Sequence, residues 1–438
     1  MLMYKELVES TVLPKETGSL GWLGEIRSQA YERFKAVGFP DRHLEEWKYT
    51  PLDPVMSASY VSSEGYSLRR HDSNYLKSLF TPTVENEKRL VFVNGAYSKE
   101  YSSTKFLPQG VLFGRLAENI EFTPDLVQST LAANTNNETN PFSLINTFNF
   151  KDGAFVYIPD NCNVEETLNV TFTASLPEGK SEVFYPKILI ILGKRAKASI
   201  VLNMRGDARS RYFNNAHAQV HLGEGSNLDY VYVQRESKKA SSFLTNRTLL
   251  KKESMLNVLS FATDGTLIRN ENHVVFTEPH GFSSHKGLSV LSGGSQFFHQ
   301  AVMDHEASGC TSRQFYKNIL SDRSKSEFNS LVHVRRDAQK SDSNQLNKNL
   351  LLSDLAQAYS RPKLKIDADD VACSHGATVG QLEKEELFYL RSRGFSEKAA
   401  RFMLTYGFAE EIMEEFKPES LKKELELLVK ERLEHVIR

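Results

Sequence analysis

The chain has 438 residues, 40% of them hydrophobic, and a formal net charge of −1. That length accommodates a large core and about two to three domains, while a charge near zero argues against a nucleic-acid grip built on bulk electrostatics, which needs a basic face. The only cysteines, Cys162, Cys310 and Cys373, are odd in number and far apart, which argues against a disulfide framework and for a reducing compartment.

The N-terminal residues from Met1 to Ser10 lack the basic-then-apolar pattern of a secretion signal. The densest apolar run, Ile188-Leu-Ile-Ile-Leu192, ends at Gly193 and is far too short to span a bilayer. The expectation is a soluble cytoplasmic protein without a membrane span. Leu23, Ile26, Ala30, Phe34 and Val37 line one helix face, and Gly38 and Pro40 end that helix. Glu45-Glu46-Trp47-Lys48-Tyr49 predicts a short helix or turn, and polar Ser/Asn-rich connections follow. Residues 1–88 form an N-terminal helical region in this reading.

A different regime opens at 89–95, Arg-Leu-Val-Phe-Val-Asn-Gly. From here to about residue 372, short apolar runs alternate with turn residues. Leu192, Leu222, Leu250, Leu291, Leu320 and Leu352 each close an apolar run before a polar turn, at spacings of 30, 28, 41, 29 and 32 residues. A repeat near 30 with two strands per unit predicts stacked coils, because one unit cannot bury its apolar side alone. Four-stranded propeller blades need about 40–50 residues each. A parallel β-helix over 89–380 fits best and a β-sandwich second. The long spacing holds 263–285, a loop or an extra coil.

Several motifs carry little chemistry. Ala174-Ser-Leu-Pro-Glu-Gly-Lys-Ser181 resembles a phosphate loop without its first glycine, and a strand follows where a helix N-terminus is needed; it reads as a hairpin turn. Gly223-Glu-Gly225 has no following helix either. His273, His280, His285, His299 and His305 lack the helical spacing of a zinc protease and read as scattered side chains, the alternative being a metal site where strand positions converge across coils. His217 and His221 share strand parity and face one side. Cys162 and Cys310 sit in polar turns.

The stretch Asp369-Asp-Val-Ala-Cys-Ser-His-Gly-Ala-Thr-Val-Gly380 is the most informative. Cys373 and His375 are both ligands for borderline transition metals. The expectation is that an extended Ser374 sends them to opposite faces. A turn at Gly376, or a second chain, then has to bring them together. Cys373 is read as a ligand or as core. Asp369 and Asp370 are read as possible acidic ligands or as a solvated cap.

The last 58 residues, 381–438, are predicted helical: 383–393 up to Gly394, a helix capped by Ser396 and ended by Gly407, another to about Phe416, and a last one capped by Ser420. Its stripe of Leu421, Leu425, Leu428, Val429, Val436 and Ile437 packs on the chain's own body or on a partner.

Asp337-Ala-Gln-Lys-Ser-Asp-Ser-Asn-Gln-Leu-Asn-Lys-Asn-Leu-Leu-Leu-Ser-Asp354, the 369–380 stretch and Leu387-Phe-Tyr-Leu-Arg-Ser-Arg-Gly394, in this order, resemble the SufB/SufD family of iron–sulfur cluster assembly proteins. Glu45-Glu46-Trp47-Lys48-Tyr49-Thr50 is similar to a signature of its SufD branch. Where the sister subunit SufB carries its sulfur-accepting cysteine, this chain has a cysteine-free stretch near Asn347, so sulfur acceptance is not carried over. The resemblance implies a right-handed parallel β-helix flanked by helices. It implies a non-enzymatic scaffold that pairs with a SufB-like subunit, or with itself when that is absent. It also implies docking of a SufC-like ATPase on the C-terminal helical region. A transient iron–sulfur cluster would form at the subunit interface, with His375 as a ligand and Cys373 contributing. The competing class is a β-helix enzyme acting on polysaccharide.

Overall fold

The computed structural model describes residues 21–437 apart from 42, 59, 63–72, 81–86 and 134. The N-terminal stretch from Met1 to Ser10 and parts of the polar connection before residue 88 lie outside the described residues. The protein is a parallel β-solenoid of about seven turns with helices towards both ends of the chain. Consecutive strands alternate between two sheets. The first sheet stacks Gly153–Ile158, Lys187–Leu192, Arg211–Leu222, Ser241–Leu250, Leu267–Phe276, Gln296–His305, Lys325–Val334 and Gln357–Ile366 in that order. The second stacks Leu168–Ala174, Lys197–Gly206, Asn227–Glu236, Met255–Asp264, Phe282–Leu291, Thr311–Leu320, Ser341–Leu351 and Val371–Gly380.

The leucine repeat is this stacking seen along the chain. In the first sheet Leu192, Leu222, Leu250, Phe276, His305, Val334 and Ile366 follow one another in register. Leu291, Leu320 and Leu351 are the matching column of the second sheet, so Leu352 of the repeat falls one residue past it. The long spacing between Leu250 and Leu291 spans three strands where the others span two, so it holds one extra strand, half a coil rather than a loop or a whole coil; Phe276 takes the leucine's place and the repeat changes sheets across it. At one corner Arg195, Gly225, Glu253, His280, Gly309 and Lys340 stack, all with φ between +55° and +66°. Only two of the six are glycine. Each remaining side chain adopts a strained left-handed backbone that the stacked backbone hydrogen bonds hold in place.

Inward-facing residues of the early coils are apolar: Ile188, Ile190, Ile200, Leu202, Ala216, Ala218 and Val220 belong to the main core. Those of later coils are polar, with His285, His299, Gln314, Asn318, Gln345 and Asn349 all buried. Close backbone packing fixes one glycine. An added Cβ at Gly153 would lie 1.8 Å from the Lys187 carbonyl oxygen on the neighbouring strand. Gly153→Ala is expected to lower stability by about 1–3 kcal/mol, read as a lower midpoint in thermal unfolding.

The helix Gly21–Val37 buries Leu23, Ile26, Ala30 and Phe34, as the spacing predicts. Three helices, Leu116–Phe122, Pro124–Ala132 and Pro141–Asn149, interrupt the region read as strands and turns. Two of them begin with a proline, which reads as a breaker but is favoured at the first helical position. Segment 174–181 is no hairpin: it leaves Leu168–Ala174 of the second sheet for Ser181–Phe184, which pairs within the first.

At the other end, Gly394 (φ +94°) follows the helix Lys384–Ser392. Ser396 caps the next by accepting a hydrogen bond from the Ala399 N–H at 3.2 Å. That helix runs on through Gly407 to Met413, because Ala409, Ile412 and Met413 gain burial by continuing. The last helix, Glu419–Val436, is preceded by Pro418 as its N-cap rather than by Ser420. Its stripe is covered: Leu421, Leu425, Val429 and Leu433 pack with Ile412, Met413 and Phe416 on Val201, Val231, Phe261, Leu288 and Ile319 of the second sheet's outer face. The chain itself occupies that stripe, so it is not a free docking surface.

Candidate functional site at the open end of the solenoid

The last coil consists of Gln357–Ile366 and Val371–Gly380, each paired with one neighbour only among the described residues. Ser343, Gln345 and Asn347 stand beside Cys373, His375 and Ala377 in the ladder, and all three are buried in the solenoid interior. Cys373 and His375 therefore face the same way, inward at the open end. The expectation of opposite faces is wrong. Residues two apart in an extended strand share a face, and the strand runs straight through Gly376. Cys373 is half-buried against the main core, and burial pushes its thiol pKa up. His375 is exposed. Asn344 donates from Nδ2 to Ser374 Oγ on the opposite face at 2.8 Å. Asp369 and Asp370 are exposed at the corner, where the Asp370 carbonyl accepts from the Lys340 N–H at 2.6 Å.

The two open edges differ. Alternate residues of a parallel ladder turn their N–H and C=O to opposite sides. Asp342 N–H donates to the Cys310 carbonyl, so even-numbered residues of its strand bond back and odd-numbered ones forward. The register then leaves the N–H and C=O of Cys373, His375, Ala377 and Val379 directed at the free edge. On the other sheet Gln357 N–H bonds back to Ser324, so Pro362 faces the free edge and offers no N–H there. Arg361, Lys363 and Lys365 add charge to that strand. Charge and proline blunt an edge against pairing; Val371–Gly380 carries neither.

The other sequence-predicted groups lie apart. His285, His299 and His305 are buried in the interior, and burial lowers their pKa values to about 3, 3 and 4, so they are neutral. His299 lies 4.1 Å from the Tyr316 ring, and His305 stacks on Phe276 at 4.3 Å. Cys310 is fully buried in the core and not in an exposed loop; Cys162 packs against the same core at a turn. Among the described residues no three His, Cys, Asp or Glu side chains group as a metal site. Asn347, near the position of the sister subunit's cysteine, is buried and donates to the Tyr316 carbonyl at 3.2 Å.

A buried polar network on the first sheet's outer face had no signal in the sequence. Arg247 grips Glu138 with Nε and Nη2 at 2.8 and 2.7 Å and reaches Glu271 at 2.6 Å. Nearby, His217 Nδ1 lies 2.8 Å from Lys187 Nζ; His217 and His221 do share the outward face, as parity predicts. Burial lowers the Lys187 pKa to about 7. The unfolded chain keeps that proton up to about pH 10.5, so this group's contribution to stability rises between about pH 7 and 10.5 and is least favourable below 7. Lys187→Met is expected to stabilise the protein by about 1 kcal/mol or more at pH 6 and to flatten that rise. Thermal unfolding across pH 6–10 checks it; an unchanged slope would count against a buried neutral amine.

These features define a parallel β-solenoid whose candidate chemistry is gathered at an unpaired end rather than in a cleft. The chain belongs to the SufBD family of iron–sulfur cluster assembly proteins. The family's core-domain description, SUF system FeS cluster assembly, matches residues 174–408, and the SufBD N-terminal region matches residues 3–170. The chain is similar to an iron–sulfur cluster assembly SufBD family protein of Synechocystis, 28% identical over 94% of this chain and 89% of that one. It is similar to the iron–sulfur cluster assembly protein SufD of Escherichia coli, 27% identical over 92% of each. It also resembles the chloroplastic protein ABCI7 of Arabidopsis thaliana, 26% identical over 95% of this chain and 87% of that one. No helix among the described residues is long and apolar enough to cross a membrane.

Proposed function

We propose that this chain is a SufD-type scaffold subunit, pairing with a SufB-type sister through its last coil and holding a nascent iron–sulfur cluster as cargo between them. The observation that carries the reading is the unblunted edge of Val371–Gly380 with Cys373 and His375 on one face beside it. His375, exposed, supplies an imidazole ligand. Cys373, half-buried with a raised thiol pKa, contributes less readily. The remaining ligands come from the sister chain. A mixed imidazole and thiolate site holds iron less firmly than four thiolates, which suits a cluster that must leave. The scaffold performs no catalysis itself and works in the cytoplasm. It self-pairs when the sister is absent.

The SufC-type ATPase docks on the helices that the body leaves uncovered. Lys384–Ser392 has no buried residue, and Phe388 is 73% and Tyr389 57% exposed, with Phe395 and Met403 following. Such an apolar patch marks an interaction surface.

The test is anaerobic cluster reconstitution on the co-expressed complex, wild type beside His375→Ala. The variant complex is expected to elute unchanged and to accumulate several-fold less cluster by visible absorbance. Normal accumulation would sink the ligand role and leave a purely structural subunit, the reading that the core packing of Cys373 favours.

A further inference from the structure

The Glu45–Trp47 turn and the residues up to Thr50 lie on the outer face of the first sheet, with Glu45 and Tyr49 on its last strand and Trp47 and Thr50 on earlier ones. Trp47 packs on Phe243 at 6.2 Å, and the Arg269 guanidinium lies 3.8 Å from its ring centroid. Thr50 Oγ1 accepts from Arg269 at 2.9 Å. Further along, Tyr49 stacks on Tyr359 at 4.3 Å, and Arg361 donates to the Glu45 carbonyl at 2.9 Å. Glu45 also pairs with Lys363 Nζ at 2.5 Å. The segment thus touches strands Ser241–Leu250, Leu267–Phe276 and Gln357–Ile366, and three outward side chains of the last one are engaged by it.

We infer that segment 45–50 is a brace that keeps the terminal strand Gln357–Ile366 ordered while no partner covers it. That strand has a ladder neighbour on one side only and half-exposed side chains on both faces. A strand so placed frays, because few buried contacts oppose local opening. Pro362 removes one possible edge donor and the charged side chains blunt the edge, so the stabilising contacts have to come from the face. The brace supplies them from more than 300 residues away in sequence, through the Tyr49–Tyr359 stack and the Glu45–Lys363 ion pair, with Arg361 contacting both the Tyr49 ring and Glu45. The inference rests on the proposed function only in taking the last coil as the pairing end.

Amide hydrogen exchange on the full chain without partner tests it, with Tyr49→Ala and Glu45→Gln as variants. Peptides covering 357–366 are expected to lose protection tenfold or more in Tyr49→Ala and less in Glu45→Gln. Peptides covering 211–222 should be unchanged, which also shows that the variants fold. Unchanged exchange at 357–366 in both variants overturns the brace. Faster exchange there with undiminished binding to the SufB-type subunit upholds the brace and counts instead against the last coil as the pairing end.

Discussion

Replacing Arg247 with methionine is expected to destabilise the protein by about 3–5 kcal/mol, the largest loss from any single side chain in the buried network. Glu138, on the loop that precedes the helix Pro141–Asn149, reaches down to Arg247 on the sheet, which also pairs with Glu271. Removing the guanidinium leaves Glu138 buried without its cation, and Glu271 with the cation of Arg269, 3.6 Å away. Burial opposes ionisation of Glu138. The Arg247 charge and hydrogen bonds, with those from the Asn140 N–H and Ser143 Oγ, nevertheless hold its pKa below the ordinary 4.5. A depressed carboxylate pKa contributes stability that is present above the unfolded value and is lost as pH falls through the folded one. Wild type should therefore weaken below about pH 4.5 through this group. In Arg247→Met the sign reverses, because an unpaired buried carboxylate gains by taking up a proton. Between pH 7 and 5, where this group leaves wild type unchanged, the variant should gain stability relative to wild type. Urea unfolding at both pH values reads the difference, and a loss under about 1 kcal/mol at pH 7 would mean that water already screens the network.

The same network shows where sequence reasoning stops. Glu138 and Arg247 are far apart in the chain, and nothing at either position announces the other. Each looks like a solvated charge among polar neighbours, Asn137 and Thr139 beside Glu138, Asn246 and Thr248 beside Arg247. The strand parity of Arg247 places it on the outer face, but only the fold shows that the 135–140 loop covers that face. The coil repeat, by contrast, was legible because stacking in register forces like residues into columns. It faltered where Phe276, His305, Val334 and Ile366 take the leucine's place in the first-sheet column, and at Leu352, which lies one residue past Leu351 in the second. The helices Pro124–Ala132 and Pro141–Asn149 escape the sequence reading because proline signals a break and a helix start with the same residue. The amphipathic stripe from Leu421 was legible as a stripe, but its cover, the second sheet's outer face, is assembled from strands of five different coils. At the site, the motif pointed to Cys373 and His375. Their common face follows from the strand they lie on, and the readiness of their edge depends on register, which a sequence does not print.

Ala377→Pro is expected to weaken association with the SufB-type subunit at least about tenfold, a loss of roughly 1.4 kcal/mol, while barely changing the chain's own stability. Ala377 is exposed, and the register turns its N–H to the free edge, away from Ser341–Leu351. Proline there removes no hydrogen bond within the chain. It deletes one donor in the middle of the edge and puts ring atoms where an incoming strand would lie. Strand addition draws its affinity from main-chain hydrogen bonds, so the loss should exceed that of any nearby side-chain truncation. Ser360→Pro on the opposite sheet is the comparison. Its N–H also faces a free edge, but Pro362, Arg361 and Lys363 already blunt that strand, so a second proline should cost far less binding. Titration of the purified partners by calorimetry separates the two. Equal losses in both variants would mean that the two sheets contribute alike. No loss in Ala377→Pro would move the pairing surface off Val371–Gly380, and the ligand role of His375 would then need another chain to approach from the solenoid's open interior.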